Sequence, residues 1–143
     1  MAKTRVRKPK PPPIVLIVED EPDLRVLAES NITDFGYGTL SAGDGREAIA
    51  LLEENKNVVL LFTDINLPDT PEAIDGLELA RRAVELRPGL RVIYTTGGAQ
   101  TDGMTALFVE GATFLRKPYT RDELRQALQE GVERRSRRTR DRG

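Results

Sequence analysis

Short unbroken apolar runs alternate along this chain with longer stretches whose apolar positions recur every three or four residues. "IVLIV" (14–18) and "VVLLF" (58–62) are runs of the kind that form strands buried on both faces. "YGTLSA" (37–42), "LRVIYTT" (90–96) and "TFLR" (113–116) supply three more strands. Between the first two, residues 22–35 place Leu24, Leu27, Ala28, Ile32 and Phe35 on one helical stripe, opened by Pro22 and closed by Gly36. "GREAIALLEE" (45–54) is a helix that buries Ala48, Leu51 and Leu52. Residues 76–87 carry Leu77, Ala80, Ala83 and Val84 on a third helix, stopped by Pro88-Gly89. "TDGMTALFVE" (101–110) is a weak helix, diluted by Gly103 and by β-branched residues. Thr120 and Glu123 form a capping box ahead of Leu124, Ala127 and Leu128 on the last helix.

Strand then helix, five times over, predicts an α/β fold. Its form is a doubly wound (βα)5 arrangement of the flavodoxin type, with a central five-stranded parallel sheet covered on both faces. Such a sheet is wound by right-handed crossovers and binds ligands beyond the carboxyl ends of its strands. There the first strand gives way to Glu19-Asp20-Glu21, the third to Asp64, the fourth to Thr95-Thr96 and the fifth to Arg116-Lys117-Pro118. Acids, a hydroxyl and an ammonium group therefore gather at one rim. Clustered carboxylates repel one another, and desolvation adds to the cost.

Composition narrows what that rim does. The chain contains no His and no Cys, which removes the usual general base, thiol chemistry and the softer metal ligands. Carboxylates and carbonyls suit a hard divalent cation, most naturally Mg²⁺. Lysine and a hydroxyl beside such an ion form a phosphate-binding arrangement, with Asp64 as a nucleophile toward phosphorus. At 143 residues the chain is one domain in length, and 38% hydrophobic with 31% charged residues is the balance of a soluble globular protein. No apolar run approaches a membrane span, and Pro-rich residues stand where a signal peptide would be apolar. The expected location is the cytoplasm.

The net charge of −1 conceals an asymmetry. Residues 1–13 hold Lys3, Arg5, Arg7, Lys8 and Lys10 with no acid, and 134–143 hold six Arg against Asp141. The reading is a disordered, Pro-rich basic arm at 1–13, a globular domain at 14–133 and a disordered Arg-rich tail at 134–143. The acidic body argues against duplex binding, so nucleic acid would be reached only through the basic tails.

"IVEDEP", "TDINLP…DG", "YTTG" and "FLRKPY" resemble, in order, the motifs of the receiver domain of two-component response regulators, the CheY-like superfamily. The resemblance covers about residues 14–133. It implies that Asp64 is the phospho-acceptor and that Asp20, Asp64 and the main-chain carbonyl of Asn66 hold Mg²⁺. Glu19 is the first member of the acidic pair, acting on the metal directly or through water. By the same resemblance, Lys117 binds the phosphoryl oxygens, and the Lys117-Pro118 peptide bond is cis. Strand alternation turns one of Thr95 and Thr96 toward the site, and the resemblance selects Thr96 as the residue that swings onto the phosphoryl group. Phe114 falls at the aromatic switch position, although core packing alone would also explain it. The donor would be a histidine kinase or a histidine phosphotransfer protein. The output face would be the fourth helix, fifth strand and fifth helix, offered to a downstream protein or to a second copy in a homodimer. With so few residues after the fifth helix, the expectation is a stand-alone receiver without turnover activity.

Two departures from the family stand out. "DTPEAI" lengthens the loop after Asp64 by about four residues across 69–74, and Gly97-Gly98 leaves bare a position where bulkier residues often shield the phosphoryl group. A second reading is a small Mg²⁺-dependent aspartate-nucleophile phosphatase or phosphotransferase. That chemistry would want a second acid two residues after the nucleophile, where this chain has Asn66.

Overall fold

A computed structural model describes residues 12–68 and 73–141, with side chains through Glu133. The strands are β1 (Ile14–Val18), β2 (Gly38–Ala42), β3 (Val58–Asp64), β4 (Arg91–Thr96) and β5 (Thr113–Arg116). They form one parallel sheet in the order β2-β1-β3-β4-β5. The helices between and after them are α1 (Pro22–Asp34), α2 (Gly45–Glu54), α3 (Gly76–Leu86), α4 (Asp102–Ala106) and α5 (Arg121–Asp141). The expected (βα)5 fold is thus observed, and its winding reverses between β1 and β3, where such sheets place their sites.

Each face of the sheet is sealed by its own cluster. Leu16, Leu61, Val92 and Tyr94 meet Ala48, Leu52, Leu79, Ala80 and Ala83 from α2 and α3. Val15, Ile17, Leu60, Phe62 and Ile93 meet Ala28 and Ile32 of α1 and Leu124, Ala127 and Leu128 of α5. Local signals act as the sequence suggests. Thr120 and Glu123 cap α5 reciprocally, each backbone N–H donating to the other's side chain at 3.1 Å. Gly36 follows α1 with φ +97°, a left-handed conformation that glycine adopts without penalty.

Three details differ from expectation. Leu24 and Leu27 of α1 are exposed rather than core; with Phe62, Pro118 and Tyr119 they line a cavity of about 510 Å³. The weak fourth helix shortens to Asp102–Ala106, because Gly103 and Thr105 leave it little intrinsic stability. At the other end, α5 runs on to Asp141, past the boundary expected at 133. Arginine is a good helix former, and no Gly or Pro interrupts residues 132–142. Residues 1–11 of the basic arm expected at 1–13, and residues 69–72 of the lengthened loop, lie outside the described residues.

That loop has a closed neck. The Gly76 N–H donates to the Ile65 carbonyl at 2.9 Å, and the Asp75 side chain caps α3 by accepting from the Glu78 N–H at 2.8 Å. A Cβ at Gly76 would overlap the carbonyl oxygen of Asp64 and lie 2.7 Å from the Ile65 Cα, contacts that only backbone movement would relieve. Gly76→Ala should therefore destabilise the domain by about 2 kcal/mol or more. Gly103→Ala, which meets open space in α4, should instead stabilise it by about 0.5–1 kcal/mol. Urea unfolding of both variants checks the contrast.

Candidate functional site

The parallel ladders continue past the strand ends and fix the rim. The Glu19 N–H donates to Ala42 O (3.1 Å), Ile65 N–H to Thr95 O (2.8 Å) and Lys117 N–H to Thr96 O (3.0 Å). These bonds hold the residues after β1, β3 and β5 in register with their neighbours, which brings their side chains together. A cis peptide bond joins the Lys117 carbonyl to Pro118, and the Lys117 side chain reaches over the rim. The Lys117 ammonium donates to Asp64 Oδ2 at 2.8 Å and to Glu19 Oε1 at 2.7 Å. Glu19 and Asp64 are both buried, at 6% and 7% exposure. Asp20 is exposed, and one carboxylate oxygen from each of Glu19, Asp20 and Asp64 falls within 4.8 Å of the others.

Electrostatics follow from this packing. Burial drives the Glu19 carboxyl up to about 7, with Asp64 pushing the same way and Lys117 opposing. Burial also works against the Lys117 ammonium, but its hydrogen bonds to Asp64 and Glu19 outweigh that and raise it. The second Glu19 oxygen, Oε2, is buried and lacks a hydrogen-bond partner among the described residues. A buried orphan acceptor beside two more carboxylates, with no nitrogen or sulfur ligand near, fits a hard divalent cation.

The other residues singled out in the sequence sit around this core. The Asn66 backbone N–H donates to Asp64 Oδ1 at 2.9 Å, so both acceptor oxygens of Asp64 are oriented. Thr96 is fully buried, and its hydroxyl accepts from the Asn66 side-chain amide (2.6 Å) and from the Gly98 N–H (3.2 Å). Thr95 lies on the opposite face of β4, its buried Oγ1 without a hydrogen-bond partner among the described residues. Phe114 is half-buried and stacks on Phe108 at 5.9 Å; Phe108 in turn stacks on Tyr94 at 4.4 Å. Two contacts were not foreseen: the Asn66–Thr96 bond, and Arg25 of α1 donating to the Glu19 carbonyl at 2.8 Å. The second has a sequence signal, an arginine one turn into a helix whose N-terminus follows the acidic run.

The Glu19 shift sets a pH dependence. Between about 4.5 and about 7 the folded chain keeps a proton that the unfolded chain has released, so stability without a divalent cation falls as pH rises through that window. Urea midpoints measured across it should decline for the wild type, and Glu19→Gln should flatten the decline.

Comparison with known proteins agrees with this geometry. The family model of the response regulator receiver domain matches residues 15–129. The chain is 30% identical over 123 residues to the transcriptional regulatory protein GlrR of Escherichia coli, covering 85% of this chain but 27% of that protein. It is 32% identical over 120 residues to a chemotaxis protein CheY homolog of Campylobacter jejuni, covering 81% of this chain and 89% of that one. Among solved structures, a response regulator receiver protein from Sinorhizobium medicae superposes with a TM-score of 0.77 at 29% identity, covering 85% of this chain and 95% of its own. The chain spans about a quarter of the E. coli regulator's length. Sheet order, acidic rim and these similarities together identify the chain as a member of the response regulator receiver domain family, the phosphoryl-accepting module of two-component systems.

Proposed function

We propose that Asp64 accepts a phosphoryl group from the phosphohistidine of a histidine kinase or a histidine phosphotransfer protein. One observation carries this reading: Lys117 bridges Asp64 and Glu19 at 2.8 and 2.7 Å, in a rim where three carboxylates converge. A carboxylate oxygen of Asp64 attacks phosphorus, a P–O bond forms, and the P–N bond breaks with its electron pair left on the imidazole nitrogen. Lys117 is placed to move from the Asp64 carboxylate to the phosphoryl oxygens as charge passes to them. Asp20, Asp64, Glu19 and the main-chain carbonyl of Asn66 would hold Mg²⁺, which supplies positive charge to the equatorial oxygens during transfer. The reading assigns the exchange to the cytoplasm.

Release of the phosphoryl group is to water, and the chain acts as an acceptor rather than as a turnover enzyme on a separate substrate. Asn66 supports this, since an amide two residues after the nucleophile has no proton acidic enough to transfer to a leaving group. The response runs from Thr96 to the face built by α4, β5 and α5. The short, Gly-containing α4 is the element with least to lose on rearrangement, and Phe108, just after it, stacks on Tyr94 of β4 and Phe114 of β5.

Intact mass after incubation with acetyl phosphate and Mg²⁺ tests the acceptor. The wild type should gain one phosphoryl group, Asp64→Asn none, and Lys117→Ala should be labelled at least tenfold more slowly; a full adduct on Asp64→Asn refutes the assignment. Gly98 offers no side chain near Thr96, so water should reach the phosphoryl group readily. Gly98→Glu should slow hydrolysis several-fold, and an unchanged decay of the adduct would remove this account of the rate.

A further inference from the structure

The hydroxyl of Thr96 is held from two sides. Asn66 donates its side-chain amide to it across 30 positions of chain at 2.6 Å, and the Gly98 N–H donates at 3.2 Å. Thr96 is completely buried, whereas Asn66 is exposed. An exposed asparagine has water as a ready partner, so its commitment to a buried hydroxyl fixes the position of that hydroxyl more than it benefits the asparagine. The bond also links two segments that flank Asp64: the start of the β3–α3 loop and the end of β4. Position 98 stands beside this bond: a Cβ there would make ordinary contact with both partners, 3.7 Å from Thr96 Oγ1 and 4.0 Å from Asn66 Nδ2.

Resting on the acceptor reading, we infer that the Asn66 side chain is a positioning residue that latches Thr96 in the unphosphorylated protein. Phosphoryl oxygens only accept hydrogen bonds, so Thr96 serves them by a χ1 rotation about its Cα–Cβ bond that carries the whole hydroxyl toward Asp64. That rotation separates Thr96 Oγ1 from the Asn66 amide. The latch therefore stabilises one of two states and not the other, which is the condition for a contact to bias a switch. Asn66 thus has two separate tasks. Its backbone N–H orients Asp64, and its side chain sets how readily Thr96 leaves its resting position.

The test is a double-mutant cycle in the full chain, titrating beryllofluoride with Mg²⁺ and reading dissociation constants from amide NMR shifts. Asn66→Ala should bind beryllofluoride about threefold to tenfold more tightly than wild type, the range that loss of one net side-chain hydrogen bond supplies. In the Thr96→Ala background the same substitution should change binding less than twofold. A purely structural role would shift urea stability equally in both backgrounds and leave no such coupling. Binding by Asn66→Ala that is equal to or weaker than wild type overturns the latch. So does a change of the same size in the Thr96→Ala background, which would assign the Asn66 side chain to the phosphoryl group directly. Wild-type protein that binds no beryllofluoride overturns the acceptor reading and the latch together, whereas normal wild-type binding without coupling overturns the latch alone.

Discussion

Two buried carboxylates on neighbouring strand ends need a counter-charge, and Lys117 is the residue that meets this need in the described structure. Glu19 follows β1 and Asp64 ends β3, the central strand with which β1 pairs, so the sheet itself forces the acids together. Lys117 comes from β5 at the sheet edge and must pass over β4 to reach them. Removing one partner of such a group leaves an uncompensated buried charge, which costs far more than the pair contributes as a net attraction. The geometry of the rim thus depends on an ammonium group delivered from the far end of the sequence, and the last strand is tied to the first by charge as well as by packing.

The arrangement also explains the unequal treatment of the acids. Asp64 has both oxygens directed by donors, Lys117 on one and the Asn66 N–H on the other. Glu19 has one oxygen engaged and one unpartnered, and burial favours its protonated form near neutrality. A carboxyl group poised in this way is ready to exchange a proton for a cation, whereas Asp64 has a hydrogen-bond donor on each of its oxygens. Neighbouring groups of the same chemical type are thereby given different tasks by their surroundings.

Much of this was legible in the sequence because parallel strands announce themselves and their carboxyl ends collect chemistry. Asp64, Glu19, Asp20 and Lys117 each follow an apolar run, and continuous strands leave little freedom in where the next residue falls. Helix faces were read less well. Leu24 and Leu27 carry the spacing of a buried stripe, but α1 turns Ala28 and Ile32 inward and leaves those leucines at the mouth of a cavity. Leu79, buried on α3, was missed because Leu77 and Val84 offered an alternative stripe one position away. The Asn66–Thr96 bond was beyond reach for another reason: it depends on the backbone path of a loop, and loop paths are set by contacts rather than by periodicity.

The narrow neck beneath the lengthened loop has an evolutionary meaning. Ile65 and Gly76 are joined by a backbone hydrogen bond, and the absence of a side chain at 76 lets α3 begin directly against the carbonyl of the acceptor. Whatever residues lie between these two points, their ends are already together, and extending a closed loop costs only fractions of a kcal/mol per added residue. Sequence between 68 and 73, away from Asn66, Leu67, Ile74 and the Asp75 cap, is therefore freer to drift, to grow or to be replaced by a grafted segment, while Asp64 keeps its address. The same joint that makes Gly76 intolerant of change leaves the loop it closes a low-cost place to write a new specificity.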